Sequence, residues 1–246
     1  MKKILNDIII ISRINLLNLR ESAAGFIVIS LFIPLGMTYL ISLATPNWNL
    51  NTKINYLTGM LVLSSSLTVI NGVGQFITMD RISGVISWYR TSPIHPLSYI
   101  LGVTSTYMIS ILIECLILIF IASILWSLPL NIIYLIIIIM AILLESFALI
   151  GIGAIIGTRS KNIQMASAIT NLLSFIIAFA TPAYYSINII PKELQSVLYV
   201  LPTTEASLII KNLYFQGEIN ILLLLLVFLG VTYSLIGFRG IKWREK

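Results

Sequence analysis

Two carboxylates, Glu114 and Glu145, lie near the middles of long apolar runs, and no Lys or Arg occurs between Arg90 and Arg159 to neutralise them. An ionised carboxylate in hydrocarbon is expensive, so each is expected to be protonated, hydrogen-bonded to Ser, Thr or Tyr groups, or turned toward a wet cavity. A neutral carboxylic acid acts as polar glue between helices; one with an exchange path to water carries protons. Asn71 and Gln75, one helical turn apart in Asn71-Gly72-Val73-Gly74-Gln75, offer amides either for a polar conduit or for hydrogen bonds between packed helices. His95 is the one histidine and Cys115 the one cysteine, so metal-ligand spacing is lacking and no intrachain disulfide can form. There is no Gly-rich phosphate loop followed by Lys and Ser or Thr, and no nucleophile and base pair around His95. No catalytic, cofactor-binding or metal-binding residues are therefore expected, and the chain is not read as an enzyme.

The elements that must hold these groups are hydrocarbon-compatible helices. Of the 246 residues, 58% are hydrophobic and 10% charged, and the mean hydropathy is +1.01, which is outside the composition of soluble domains. Apolar windows of about 20 residues, the length a helix needs to cross a bilayer, recur throughout. The runs are too long and uniformly apolar for the alternating strands of a barrel. The expected fold is an all-α polytopic membrane protein, a single transmembrane domain over 1–246 with six transmembrane helices at about 25–44, 56–78, 98–126, 132–157, 164–187 and 219–238.

Residues 1–22 place Leu5, Ile8, Ile9, Leu16 and Leu19 on one helical side and Lys2, Lys3, Asn6, Arg13 and Arg20 at polar positions. This spacing suits an N-terminal interfacial helix, although the start of the first span is the competing reading. Pro34 is expected to kink span one. Span four ends in Gly151, Gly153 and Gly157, which thin the helix surface for a close crossing. Residues 190–218 read as two short outer helices, Pro191 to Val200 and Thr203 to Tyr214, split at Leu201-Pro202 and either re-entrant or interfacial.

Charge fixes the orientation. With both termini cytoplasmic, the inner segments carry Lys2, Lys3, Arg13, Arg20, Arg81, Arg90, Arg159, Lys161, Arg239, Lys242, Arg244 and Lys246, and the outer ones only Lys53, Lys192 and Lys211. This bias follows the positive-inside rule and agrees with an even number of spans in a cell membrane. The net charge of +6 thus has a topological reading, and no nucleic-acid partner is expected.

The long polar interruption at 79–102 then falls on the cytoplasmic side. Its Asp80-Arg81-x-x-Gly84, followed by Ser92-Pro93-x-x-Pro96-x-x-Tyr99-x-x-Gly102, resembles the membrane (permease) subunit of type 2 ATP-binding-cassette transporters. In that family an acidic-Arg-acidic-x-Gly-Thr-Leu-Glu segment leads into a Ser-Pro turn and a Tyr-x-x-Gly start of span three. Pro182, Pro191 and Leu201-Pro202 also resemble the family's proline-punctuated outer helices. Here Ile82, Val85 and Ser87 stand where a second acidic residue, Thr and a later Glu are usual.

The resemblance implies that 79–96 forms a coupling helix docking in a groove of cytoplasmic ABC ATPase subunits, with ATP and magnesium on that partner. It puts Asp80, Arg81, Gly84, Pro93 and Tyr99 at coupling positions, with Arg81 and Arg90 holding the segment against the partner or spans one and two. A loop resting on headgroups by the same arginines is the plainer reading. The resemblance further implies a homodimer, or a heterodimer with a related permease, working as an exporter. The alternative is a secondary transporter or channel using Glu114 or Glu145 without an ATPase.

Overall fold

In the computed structural model the described residues are 2–22, 24–45, 48–92, 94–129, 131–216 and 222–240. Pro93, Lys242, Arg244 and Lys246 lie outside them, as do the side chains of Lys2, Lys3, Leu5, Leu19, Arg20 and Arg90. The order is α1 (Lys2–Ser22), α2 (Ala24–Ala44), α3 (Leu50–Ser66), a π-helical segment (Leu67–Asn71), α4 (Gly72–Ile82), α5 (Val85–Thr91), α6 (Pro96–Trp126) and α7 (Ile132–Arg159). It continues through α8 (Ile163–Ala180), a 3-10 turn (Ile187–Ile189), α9 (Lys192–Leu198), α10 (Pro202–Gln216) and α11 (Leu222–Gly240). No strand occurs among the described residues.

Asparagines start three of these helices. The side chain of Asn49 accepts from Thr52 N, that of Asn131 from Ile133 N and that of Asn162 from Met165 N, at 2.8 to 2.9 Å. Each satisfies a first-turn N–H that has no partner within its own helix. Four stretches are long and apolar enough to cross a membrane: Leu50–Ile82, Ser98–Trp126, Ile132–Arg159 and Ile163–Ala180; Leu31–Ala44 and Leu222–Gly237 are shorter apolar helices.

Two helices differ in extent from the sequence expectation. Span two is not confined to 56–78 but is one helical run, Leu50–Ile82, interrupted by the π-helical segment, so Asp80 and Arg81 are its last turn. Span five stops at Ala180 instead of 187, because Thr181 is extended (ψ 133°) before Pro182. Proline cannot continue the ladder and pushes the preceding residue out of helical geometry.

The core surrounds α7, which packs against α11, α4, α10 and α6 and against the α3 to π-helical region. Backbones meet closely there. A Cβ on Gly153 would stand 2.9 Å from Ile70 O, and one on Gly157 2.7 Å from Gly74 O. Thr78 Oγ1 closes the seam by donating to both Gly74 O (2.8 Å) and Gly157 O (3.0 Å). Glycine is needed where two helix backbones approach this closely.

Helix α1 lies along α6, with Ile11, Ser12 and Asn15 buried, and Ile11 sits over Gly102. Its exposed face carries Ile9, Ile10, Ile14 and Leu17 beside Arg13. Of the expected apolar stripe, Ile9 lies on this exposed face while Ile8 and Leu16 are half-buried; the side chains of Leu5 and Leu19 lie outside the described residues.

Candidate functional site

The two intramembrane carboxylates converge on α3. Glu114, from α6, accepts from Ser64 Oγ (2.9 Å) and Thr68 Oγ1 (2.7 Å), and Glu145, from α7, accepts from Ser65 Oγ (3.0 Å). Both are fully buried. Consecutive serines on one helix point about 100° apart, so α3 can bond the acid of one neighbour with Ser64 and that of the other with Ser65. The second oxygen of Glu145, Oε2, and the buried hydroxyls of Ser66 and Ser146 have no partner among the described residues. The hydroxyls that hold the acids begin just before the π-helical segment and run into it, and Ser66 O there accepts from Ser174 Oγ of α8 (3.0 Å). A π-helical turn shifts carbonyls out of the regular pattern and frees them for such bonds.

One turn further in, Asn71 and Gln75 form a junction with α8. Asn71 Nδ2 donates to Asn171 Oδ1 (2.8 Å), Thr170 Oγ1 donates to Asn71 Oδ1 (2.8 Å), and Gln75 Nε2 bonds both Asn71 Oδ1 and Ser167 Oγ. Of the two roles expected for these amides, interhelical hydrogen bonding is the one visible within the chain.

The coupling positions divide into braces and a projecting part. Tyr99 OH donates to Asp80 Oδ2 (2.8 Å), tying the end of α4 to the start of α6. Arg81 Nη1 donates to Thr158 O (2.8 Å) at the end of α7, so among the described residues its hydrogen bond goes to span four. Tyr99 is 1% exposed, and its ring meets Tyr89 of α5 at 5.2 Å. Gly84, with φ +80°, takes the left-handed conformation that breaks α4 from α5. Beyond it Ile86 is buried, whereas Trp88 is 80% exposed and Met79 and Ile82 are also largely exposed.

Sequence reasoning missed two buried charges on α10. Glu205 is fully buried, and neither carboxyl oxygen has a partner among the described residues. Lys211 is 6% exposed and donates to Pro182 O (2.6 Å) and Tyr185 O (2.7 Å). From sequence Lys211 counts only as an outer cation and Glu205 does not stand out, because the stretch reads as a short outer helix. It packs instead against α3, α7 and α11, with Tyr214 edge-on to Tyr134 at 6.2 Å, whereas α9 buries none of its residues.

Burial raises the Glu205 carboxyl from its ordinary 4.5 to about 7. A raised carboxyl binds its proton more tightly in the folded chain, so its contribution to stability is fully present below pH 4.5 and is lost as pH rises through 7. Glu205→Gln removes this dependence. The variant is expected to match the native chain near pH 4.5 and to exceed it at pH 8 by on the order of 3 kcal/mol, measured by unfolding both at the two pH values. Identical pH dependence would contradict this account.

A helical chain with several apolar segments of membrane-crossing length, and buried acids held by hydroxyls between them, has the make-up of a multi-pass membrane protein. The ABC-2 type transporter family model matches residues 7–214, and the chain belongs to that family. It is thus a multi-pass membrane domain of a transporter, of the kind that works with an ABC ATPase. No curated protein matches the sequence significantly.

Proposed function

We propose that this chain is the conduit-forming subunit of an ATP-driven exporter in the cell membrane, with six spans and both termini cytoplasmic. It pairs with a second copy or a related permease and docks through α5 on cytoplasmic ATPase subunits that carry ATP and magnesium. The observation that carries this reading is the contrast within 79–99: Trp88 stands out from α5, while Asp80, Arg81 and Tyr99 fasten its root to α4, α6 and α7. A push on α5 is then delivered to three helices together. In this scheme Trp88 and Ile82 are the contact residues and Asp80, Arg81 and Tyr99 position them; Arg90 and Pro93 keep the coupling role that the family resemblance gives them. An apolar face also fits a segment in which Ile82, Val85 and Ser87 replace the family's usual acidic residue, Thr and Glu.

Movement entering at α4 meets the Asn71 and Gln75 junction with α8, and beyond it the hydroxyls holding Glu114 and Glu145. Export would follow from shifting α4 and α8 relative to α7 as the nucleotide domains close. Gly84→Val puts a β-branched side chain at φ +80°, a strain of about 1–3 kcal/mol, at the joint between brace and helix. Complexes carrying it are expected to assemble yet lose most of the ATP hydrolysis that depends on the membrane subunit. Native coupling at native assembly would sink the proposed role of this segment.

The secondary-transporter reading keeps one observation in its favour, the partnerless Oε2 of Glu145. Transport in vesicles containing this chain alone, driven by a proton gradient and abolished by Glu145→Gln, would establish it over the ATP-driven reading.

A further inference from the structure

At the end of the molecule away from α5, a cavity of about 360 Å³ lies between the first turns of α3, the 3-10 turn and the second half of α10. Its size is within the range of small-molecule sites. Its walls include four amides, Asn51, Asn55, Asn188 and Asn212, together with Phe215 and the buried Lys211. None of the four amide side chains hydrogen-bonds to another described residue, so among those residues none of their donors and acceptors is taken up. Lys211 spends two of its three donors on the carbonyls of Pro182 and Tyr185, both uncharged, and none of the described residues lining the cavity is a carboxylate. A buried cation is ordinarily paired with an opposite charge; here the wall supplies none, and the remaining ammonium hydrogen is left for an incoming group.

From this arrangement we propose that the cavity binds a compact polyhydroxylated anion, such as a glycerophosphate group, with the anionic oxygen on Lys211 and the hydroxyls on the asparagine amides. Phe215, Ile187 and Leu208 supply apolar surface for the carbon backbone of such a ligand. The described wall residues offer Lys211 and no carboxylate, which favours an anion, and an amide, being both donor and acceptor, matches a hydroxyl in either sense. The same chemistry is carried by a lipid headgroup or by a free solute.

The test uses the full chain in its assembled complex, reconstituted in phosphatidylcholine nanodiscs. Glycerol 3-phosphate and glycerol are titrated by calorimetry, and in parallel phosphatidylglycerol is added to the nanodiscs and lipid retention is read by native mass spectrometry. At least one phosphate probe is expected to bind saturably, and where glycerol 3-phosphate binds, glycerol should bind at least tenfold more weakly. Retention of phosphatidylglycerol without binding of glycerol 3-phosphate identifies a headgroup site; saturable binding of glycerol 3-phosphate identifies a site for the free solute. Asn51→Leu with Asn188→Leu, both at the exposed rim, should weaken binding at least tenfold at unchanged thermal stability, and Lys211→Gln should erase the preference for the charged probe. The proposal is overturned by absence of saturable binding of both phosphate probes, by equal binding to glycerol, or by native affinity in the rim variant, which remains informative if Lys211→Gln does not fold. None of these readouts involves ATP, so the transport reading stands or falls separately.

Discussion

Gly237→Val is expected to be the most damaging single substitution in the core, preventing α11 from seating on α7. A Cβ at 237 would overlap the Gly151 Cα, and one at 151 would stand 2.9 Å from both Gly237 Cα and Tyr233 O. These neighbours are backbone, which cannot rotate away as a side-chain end can. Overpacking a core typically costs about 1–3 kcal/mol, and a clash between two helix backbones belongs at or above the upper end. The nearby Gly230 gives the contrast, because its added Cβ meets only Leu144 O at 3.5 Å, an ordinary contact. Gly230→Ala should therefore leave the unfolding midpoint of the purified chain close to native, whereas Gly237→Val should give little folded material in size-exclusion chromatography. Equal behaviour of the two would mean that the α7 and α11 crossing is not as close as described.

Trp88→Ala should have the largest effect outside the core, and on assembly instead of folding. The indole is 80% exposed, so its removal leaves the chain's own packing intact. Exposed tryptophans that become buried at an interface are commonly binding hot spots, worth about 2 kcal/mol or more on truncation, which corresponds to at least a roughly thirtyfold weaker complex. The measurement is the ATPase concentration needed to saturate the reconstituted membrane subunit, with thermal stability of the isolated chain as the control. Tyr99→Phe separates the roles within the segment. It removes only the hydroxyl that bonds Asp80, so it should loosen the brace by about 1 kcal/mol and weaken the complex by at most about fivefold, well short of the Trp88→Ala effect.

Residue types alone indicated the helical membrane architecture, the two acids and the polar segment at 79–102. The partners of Glu114 and Glu145 were present in plain view as Ser64-Ser65-Ser66-Leu67-Thr68, but a serine run in an apolar helix does not say which neighbour it faces. The π-helical turn that follows is set by backbone packing and leaves no compositional trace. Asp80 and Arg81 stood out as coupling positions only through the family resemblance, with Arg81 held against the partner or spans one and two; helix continuation to Ile82 turns them toward α6 and α7. Glu205 and Lys211 were hidden for a different reason. An amphipathic stretch of 15 residues reveals that one face is buried, yet not that neighbours on several sides bury the polar face too.

The central claim is that α5 is the point at which a cytoplasmic ATPase grips this membrane subunit. The direct measurement is site-specific photo-cross-linking in native membranes, with a benzophenone amino acid replacing Trp88 and a second probe replacing Ile189, which is exposed on the far side of the molecule. The account predicts a covalent adduct with an ABC ATPase from position 88 and none from position 189. An assembled, ATP-hydrolysing complex that yields no such adduct from position 88, or yields it equally from 189, would contradict it.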